Sequence, residues 1–239
     1  MENFKIKNLK KSFQINGSEY PVIRGLNLQG TSGEITVILG RSGCGKTTLL
    51  KVLCGLEKAD YGTLDFPDRS RLSMVFQEPR LMPWLNTAKN INFGLRKEQV
   101  DPAKTAELIR IVGLQGFEAA HPAELSGGMQ HRVALARALA CESEMMLLDE
   151  PFAALDYFTR ATMQKELLRI HLETQMGGIF VTHNIDEAII LGDHICIMSD
   201  GVISQEFTQE PSEGGRDLLS SASIALKQSI LFGLENETR

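Results

Sequence analysis

From Phe4 to Phe13 apolar and polar residues alternate, the two-residue period of a strand covered on one face. The run from Ile15 to Tyr20 contains Asn16-Gly17, a dipeptide suited to a tight hairpin, and Val22 to Leu28 continues the extended pattern. Glu34 to Leu39 is a short apolar run that ends in Gly40, as a buried strand feeding a glycine loop should. Helical spacing then takes over from Thr47 to Cys54 and stops at Gly55. Further strands are predicted at Arg71–Gln77, Met145–Leu148 and Gly178–Thr182, with a hairpin from His194 to Phe207 around Asp200-Gly201. Further helices are predicted at Gly128–Ala140, Thr159–Gln175 and Ile185–Leu191. Between Thr87 and about His121 the pattern is helical but broken at Gly94, Asp101-Pro102 and Gly113, which suggests an inserted helical unit. A tail from Pro211 onward reads as helical from Arg216 to Phe232.

Strands alternating with helices imply an α/β fold with a mostly parallel sheet covered on both faces. At 239 residues there is room for one large domain with a smaller insertion. The net charge of −5 argues against general affinity for nucleic acid, which needs a basic face. Cys44, Cys54, Cys141 and Cys196 form no CxxC pair and no metal-ligand cluster, so reduced thiols in a cytosolic protein are expected. The lysines near the N-terminus are not followed by a signal-peptide core, and no apolar run approaches the roughly 20 residues that span a bilayer. Any membrane role is therefore expected to come through a partner.

The segment Gly40-Arg41-Ser42-Gly43-Cys44-Gly45-Lys46-Thr47 fits the phosphate-loop pattern GxxxxGK[ST], between a predicted strand and a predicted helix. Its glycines let successive backbone N–H groups face phosphate oxygens, and the helix start that includes Thr48 adds a favourable dipole. In that pattern Lys46 reaches the outer phosphates and the Thr47 hydroxyl holds Mg²⁺. Asp149 and Glu150 close the apolar strand Met145–Leu148. The first suits Mg²⁺ and the second suits the activation of a water. A strand ending in two acids is common; its weight comes from the phosphate loop. Leu125-Ser126-Gly127-Gly128-Met129-Gln130 is a helix start in which Ser126 caps and the glycines open a second anion site.

That last segment resembles the LSGGxQ signature of ABC ATPases, and the resemblance covers roughly Phe4 to Phe207. It implies a P-loop NTPase core with an N-terminal antiparallel β subdomain and an inserted α-helical subdomain. The chain would be one ATPase domain over residues 1–239, the helical subdomain at about 87–140 and a short helical tail at 211–239. It further implies ATP and Mg²⁺ as ligands and a head-to-tail homodimer, in which Ser126, Gly127, Gly128, Gln130 and Asp156 reach the nucleotide of the second copy. Gln77 resembles the glutamine that contacts Mg²⁺, Asp156 the acid linking the two sites, and His183 the histidine that contacts the γ-phosphate. Catalysis would rest on Glu150, His183, Lys46 and Gln77, and Mg²⁺ on Thr47, Gln77 and Asp149. Phe13 is expected to stack on adenine, with Tyr20 as the alternative. Met129 and Asn184 depart from the frequent residues of the pattern, and neither departure removes a group needed for hydrolysis.

The absence of a fused membrane domain resembles bacterial importers. Gln77-Glu78-Pro79-Arg80-Leu81-Met82-Pro83-Trp84-Leu85 and Phe152–Arg160 resemble the subgroup serving nitrate, sulfonate, taurine and related small solutes. The resemblance implies transmembrane permease partners, a separate solute-binding protein, and a place on the inner face of the cell membrane. Leu81, Met82, Trp84 and Leu85 are bulky apolar residues beside prolines, as a docking loop requires, although Trp84 could instead pin the helical unit to the core. The competing readings are a soluble ABC ATPase in assembly, repair or translation, and a P-loop kinase for a small molecule.

Overall fold

The computed structural model describes residues 3–31, 33–66, 72–210 and 216–236. Strand β1 (Asn3–Ile15) turns at Asn16-Gly17 into β2 (Ser18–Thr31), and the two pair antiparallel. Both turn residues have positive φ, 51° and 78°, the conformation Asn and Gly tolerate best. A third strand, β4 (Tyr61–Asp65), completes this small sheet in the order β2-β1-β4. Sequence pattern missed β4, because every one of its residues is exposed and no alternation marks it.

The larger sheet has the order β5-β6-β7-β3-β8-β9, from β3 (Ile35–Leu39), β5 (Leu72–Val75), β6 (Met145–Asp149), β7 (Gly177–Thr182), β8 (His194–Ser199) and β9 (Val202–Thr208). All its pairings are parallel except β8 with the edge strand β9. Every residue of β3, β6 and β7 is buried, which is why these strands read as continuous apolar runs. In β3, Val37 and Leu39 enter one core cluster and Ile38 the other, so one strand joins both faces. Arg71, the predicted start of β5, lies outside the described residues.

Seven helices are present among the described residues: α1 (Lys46–Leu53), α2 (Thr87–Ile91), α3 (Pro102–Ile111), α4 (Gly127–Ala140), α5 (Tyr157–Thr174), α6 (Ile185–Leu191) and α7 (Ser221–Asn236). The broken helical pattern resolves into α2, α3 and single turns, with Asn86 and Asp101 as side-chain caps. The tail helix begins later than its apolar spacing predicts. Arg216 does not start it but donates to Asp193 Oδ1 at 2.9 Å and to the Glu210 carbonyl at 3.0 Å. Residues 211–215 of the predicted tail lie outside the described residues. No helix among those described is long and apolar enough to cross a membrane.

Candidate nucleotide site

The phosphate loop leaves the carboxyl end of β3, Asp149 and Glu150 that of β6, His183 that of β7, and Gln77 follows β5. Four neighbouring parallel strands thus point their carboxyl ends at one place, where ligands of open α/β sheets bind. A cavity of roughly 1000 Å³ opens there, lined by the loop from Gly40 to Thr48 with Gln77, Glu150 and His183. Of the predicted loop residues, Cys44 alone does not line it.

The loop needs its glycines at two points above all. A Cβ on Gly40 would lie 2.4 Å from the Met198 carbonyl oxygen, and Gly45 caps α1 at φ +109°. Lys46 is buried, and its Nζ donates to the carbonyls of Gly40 and Arg41 at 2.7 and 2.9 Å. A cation held by neutral carbonyls at a helix N-terminus is poised to exchange them for phosphate oxygens.

Thr47 Oγ1 donates to Asp149 Oδ1 at 3.1 Å. Burial is the main reason the Asp149 carboxyl titrates above its usual range, with the Thr47 hydrogen bond opposing it. A raised pKa means the folded chain favours the protonated group, and that contribution to stability is lost as pH rises from the ordinary aspartate range through the folded pKa. At neutral pH the ionised carboxylate is therefore a cost carried by the fold. The donor set of hydroxyl and carboxylate oxygen, with an under-compensated negative charge, fits a hard divalent cation such as Mg²⁺. Asp149→Asn is expected to raise the melting temperature of the ligand-free protein at pH 7 while abolishing its stabilisation by MgATP. Thermal unfolding with and without MgATP reads both, and a lower melting temperature for the ligand-free variant would count against the argument.

Glu150 sits at φ +46°, a left-handed conformation uncommon outside glycine and asparagine, and its N–H donates to Val181 O at 3.0 Å. Such strain is retained where surrounding structure fixes it, and it clusters at functional sites. Its Oε2 lies 3.1 Å from His183 Nδ1, so the acid and the histidine are already paired. Asn184, next to His183, caps α6 by accepting from the N–H groups of Asp186 and Glu187.

Both aromatic candidates for the base are present: Phe13 and Tyr20 are cross-strand partners of the β1–β2 hairpin, and both line the cavity. Lys11 lies over the Phe13 ring at 5.0 Å. The alternative between them is thus one surface made by two rings.

The remaining predicted residues stand apart. Ser126, Gly127, Gly128, Gln130 and Asp156 do not line this cavity. Ser126 caps α4 by accepting from Met129 N at 3.3 Å. Gln130 Nε2 donates to the carbonyls of Pro122 and Leu125, so within one chain the amide secures its own loop. Asp156 caps α5, accepting from Phe158 N and Thr159 N at 3.1 Å each. A Cβ on Gly128 would lie 3.4 Å from Leu155 Cδ2, which brings the Leu125–Gln130 segment against the Ala154–Asp156 turn.

Several contributors carried no sequence signal. Arg137 on α4 donates to Arg80 O at 2.9 Å and Pro79 O at 2.8 Å, tying the helix that starts at Ser126 to the loop after Gln77. The fully buried Asn90 holds the next stretch through Met82 and Leu85. Of the bulky residues in that stretch only Trp84 is exposed, at 70%; Leu81, Met82 and Leu85 are half-buried. Ile15, Val22, Leu231, Leu234 and Glu235 also line the cavity. Cys196, which spacing placed in no cluster, comes within 4.8 Å of ligand atoms of His194 and Glu206. Its Sγ is nearly equidistant from both ring nitrogens of His194, at 3.8 and 3.7 Å, so neither lone pair points at it, and His194 Nε2 pairs with Glu206 Oε2 at 3.0 Å. The group reads as a histidine–carboxylate contact beside a thiol that burial keeps protonated.

Phosphate loop, acid pair and histidine on one parallel sheet, with a small antiparallel sheet and a helical insertion beside it, define a P-loop ATPase of the ABC class. The family model described as ABC transporter matches residues 23–153. The chain belongs to the ABC transporter family, as one of its ATP-binding subunits. It is 40% identical to an uncharacterised ABC transporter ATP-binding protein of Methanocaldococcus jannaschii, over 98% of this chain and 91% of that protein. It is 44% identical to an aliphatic sulfonates import ATP-binding protein of Bacillus subtilis, over 79% of this chain and 77% of that one. Among solved structures, a dimeric ATP-binding cassette in a post-hydrolysis state with ADP and Pi matches with a TM-score of 0.79 and 29% identity, covering 87% of this chain and 100% of that one.

Proposed function

We propose that this subunit drives solute import: it binds and hydrolyses ATP as a head-to-tail homodimer and couples the cycle to a separate transmembrane permease. The observation that carries the reading is one loop with two ends. Gln77 lines the nucleotide cavity, and Trp84, a few residues on, stands exposed where a permease helix would pack. Arg137 fastens the stretch between them to α4. Movement of a nucleotide-sensing residue would thereby reach the docking surface. The names of relatives support a small sulfonate or related oxyanion as solute. A separate solute-binding protein would carry it to the permease. The chain would act on the cytoplasmic face of the membrane.

The dimer reading rests on residues that do not line their own chain's cavity. Ser126 and the glycines beside it form a helix N-terminus with N–H groups to offer, and a second copy turned head to tail would supply the nucleotide. In that arrangement Asp156, capping α5 next to the same segment, would contact the partner across the interface.

The reaction would use this chain's groups as follows. Lys46 and the loop amides would hold the β- and γ-phosphates. The Glu150 carboxylate would accept a proton from the attacking water as the water oxygen bonds to the γ-phosphorus. The bond from that phosphorus to the β-γ bridging oxygen would break, leaving ADP and phosphate. His183, paired with Glu150 at 3.1 Å, would orient both the acid and the γ-phosphate. Thr47, Asp149 and Gln77 would hold Mg²⁺, which would supply charge neutralisation on the phosphate oxygens.

The test is recovery of the tagged full chain from its own host in mild detergent, with co-purifying proteins identified by mass spectrometry. A polytopic membrane protein is expected in stoichiometric amount with the native chain, and reduced at least tenfold with Trp84→Ala. Because Trp84 is exposed, the variant should melt as the native chain does. Only soluble partners, equally recovered by both, would move the reading to a soluble ABC ATPase.

A further inference from the structure

The C-terminal helix reaches the nucleotide cavity, although its sequence carries no nucleotide-binding pattern. Three features fix its position. Ile230 is fully buried, Lys227 Nζ lies 2.6 Å from Asp186 Oδ1 on α6, and Gly233 packs so closely that a Cβ would meet Gln205 Oε1 at 2.6 Å and Ile197 Cδ1 at 2.9 Å. Residues three and four apart share a helix face. Gly233 is turned to β8 and β9, and Leu231 and Leu234 on either side of it both line the cavity, Leu234 also sharing the face of Ile230 and packing on the main core.

The cavity lining is of two chemical kinds. The phosphate loop, with Lys46 and Thr47, supplies polar groups. Apolar lining comes mainly from the β1–β2 hairpin, which includes Phe13 and Tyr20, and from α7, through Leu231 and Leu234 beside Glu235. A ligand with a highly charged end and a flat, weakly polar end suits such a division, since apolar walls and a few convergent polar groups set orientation. The volume, roughly 1000 Å³, leaves room for more than phosphates.

We infer that α7 supplies a wall of the base subsite, Leu231 and Leu234 packing against the purine of a bound nucleoside triphosphate, so that the C-terminal segment sets affinity for the base. This rests on the nucleotide reading above. It adds to the two aromatic rings a second apolar contribution from the opposite end of the chain. It also gives α7 a means of answering to nucleotide, because Lys227 ties it to α6, which follows His183.

The experiment titrates the full chain with MgATP and, separately, with magnesium tripolyphosphate, which has the phosphates and no base. In Leu231→Ser/Leu234→Ser the dissociation constant for ATP should rise about tenfold, equivalent to about 1.4 kcal/mol. Affinity for tripolyphosphate should stay within twofold. Phe232→Ser, on the same helix but 68% exposed and outside the cavity lining, should leave both affinities unchanged. Leu234 also packs on the main core, so Leu231→Ser alone, at a site 41% exposed, serves if the double variant melts early, with a threefold loss expected. Unchanged or tighter ATP binding in these variants overturns the inference, as does equal loss for both ligands, which would mark a distorted phosphate loop. A native chain that binds neither ligand would sink the nucleotide reading itself, a result distinct from either of those.

Discussion

Glu150→Gln is expected to lower the rate of ATP hydrolysis by about 10²–10⁴-fold while leaving ATP affinity within a few-fold of native, the usual contribution of a positioned general base. The substitution keeps the shape of the side chain and replaces the oxygen that pairs with His183 Nδ1 at 3.1 Å by a group unable to take a proton. The strained backbone at φ +46° belongs to the position rather than to the carboxylate, so the fold should persist. Because hydrolysis is what would reopen a closed dimer, the variant should accumulate as an ATP-bound dimer, visible as a doubling of mass in size-exclusion chromatography with light scattering. Turnover at the native rate would remove Glu150 from the role of base. Loss of turnover with no dimer at saturating ATP would leave the base in place and count against the head-to-tail arrangement.

Lys46→Ala should have the larger effect on binding. The native ammonium is buried and bonded to the Gly40 and Arg41 carbonyls, and a triphosphate offers it charged oxygens instead. Charge-assisted hydrogen bonds are worth about 1.5–3 kcal/mol each, and two of them correspond to roughly 10²–10⁴ in affinity. The loss should appear for ATP and for tripolyphosphate alike, in contrast to the α7 variants, which act on the base alone. Isothermal titration separates the two patterns. Since Lys46→Ala also leaves the Gly40 and Arg41 carbonyls without their donor and removes a cation that favours the Asp149 carboxylate, the melting temperature of the ligand-free variant is expected to fall. ATP bound as tightly as by the native chain would show that the loop is a glycine turn without a phosphate-binding role.

What the sequence determined by itself is the part of this protein written in short contiguous stretches. The loop from Gly40 to Thr47 needs its glycines at the Met198 carbonyl and at the start of α1, and that need is local, so the pattern showed it. Strands β3, β6 and β7 were legible because burial on both faces leaves continuous apolar runs. The hairpin at Asn16-Gly17 was legible because positive φ selects those residues. Exposed β4 and the late start of α7 were not, since the first is held by pairing to β1 and the second follows an irregular stretch tied through Arg216 to Asp193.

Tertiary structure alone decided which of these stretches meet. It brought Gln77, Glu150 and His183 to the loop by placing β5, β6, β7 and β3 side by side, an order that no linear pattern encodes. It also left Trp84 exposed while half-burying Leu81, Met82 and Leu85, engaged Gln130 within its own loop, and set Leu231 and Leu234 in the wall of a cavity built by the other end of the chain. Each of those outcomes depends on contacts between residues far apart in sequence, and the free energy of such contacts arises only once the sheet and its covering helices have packed.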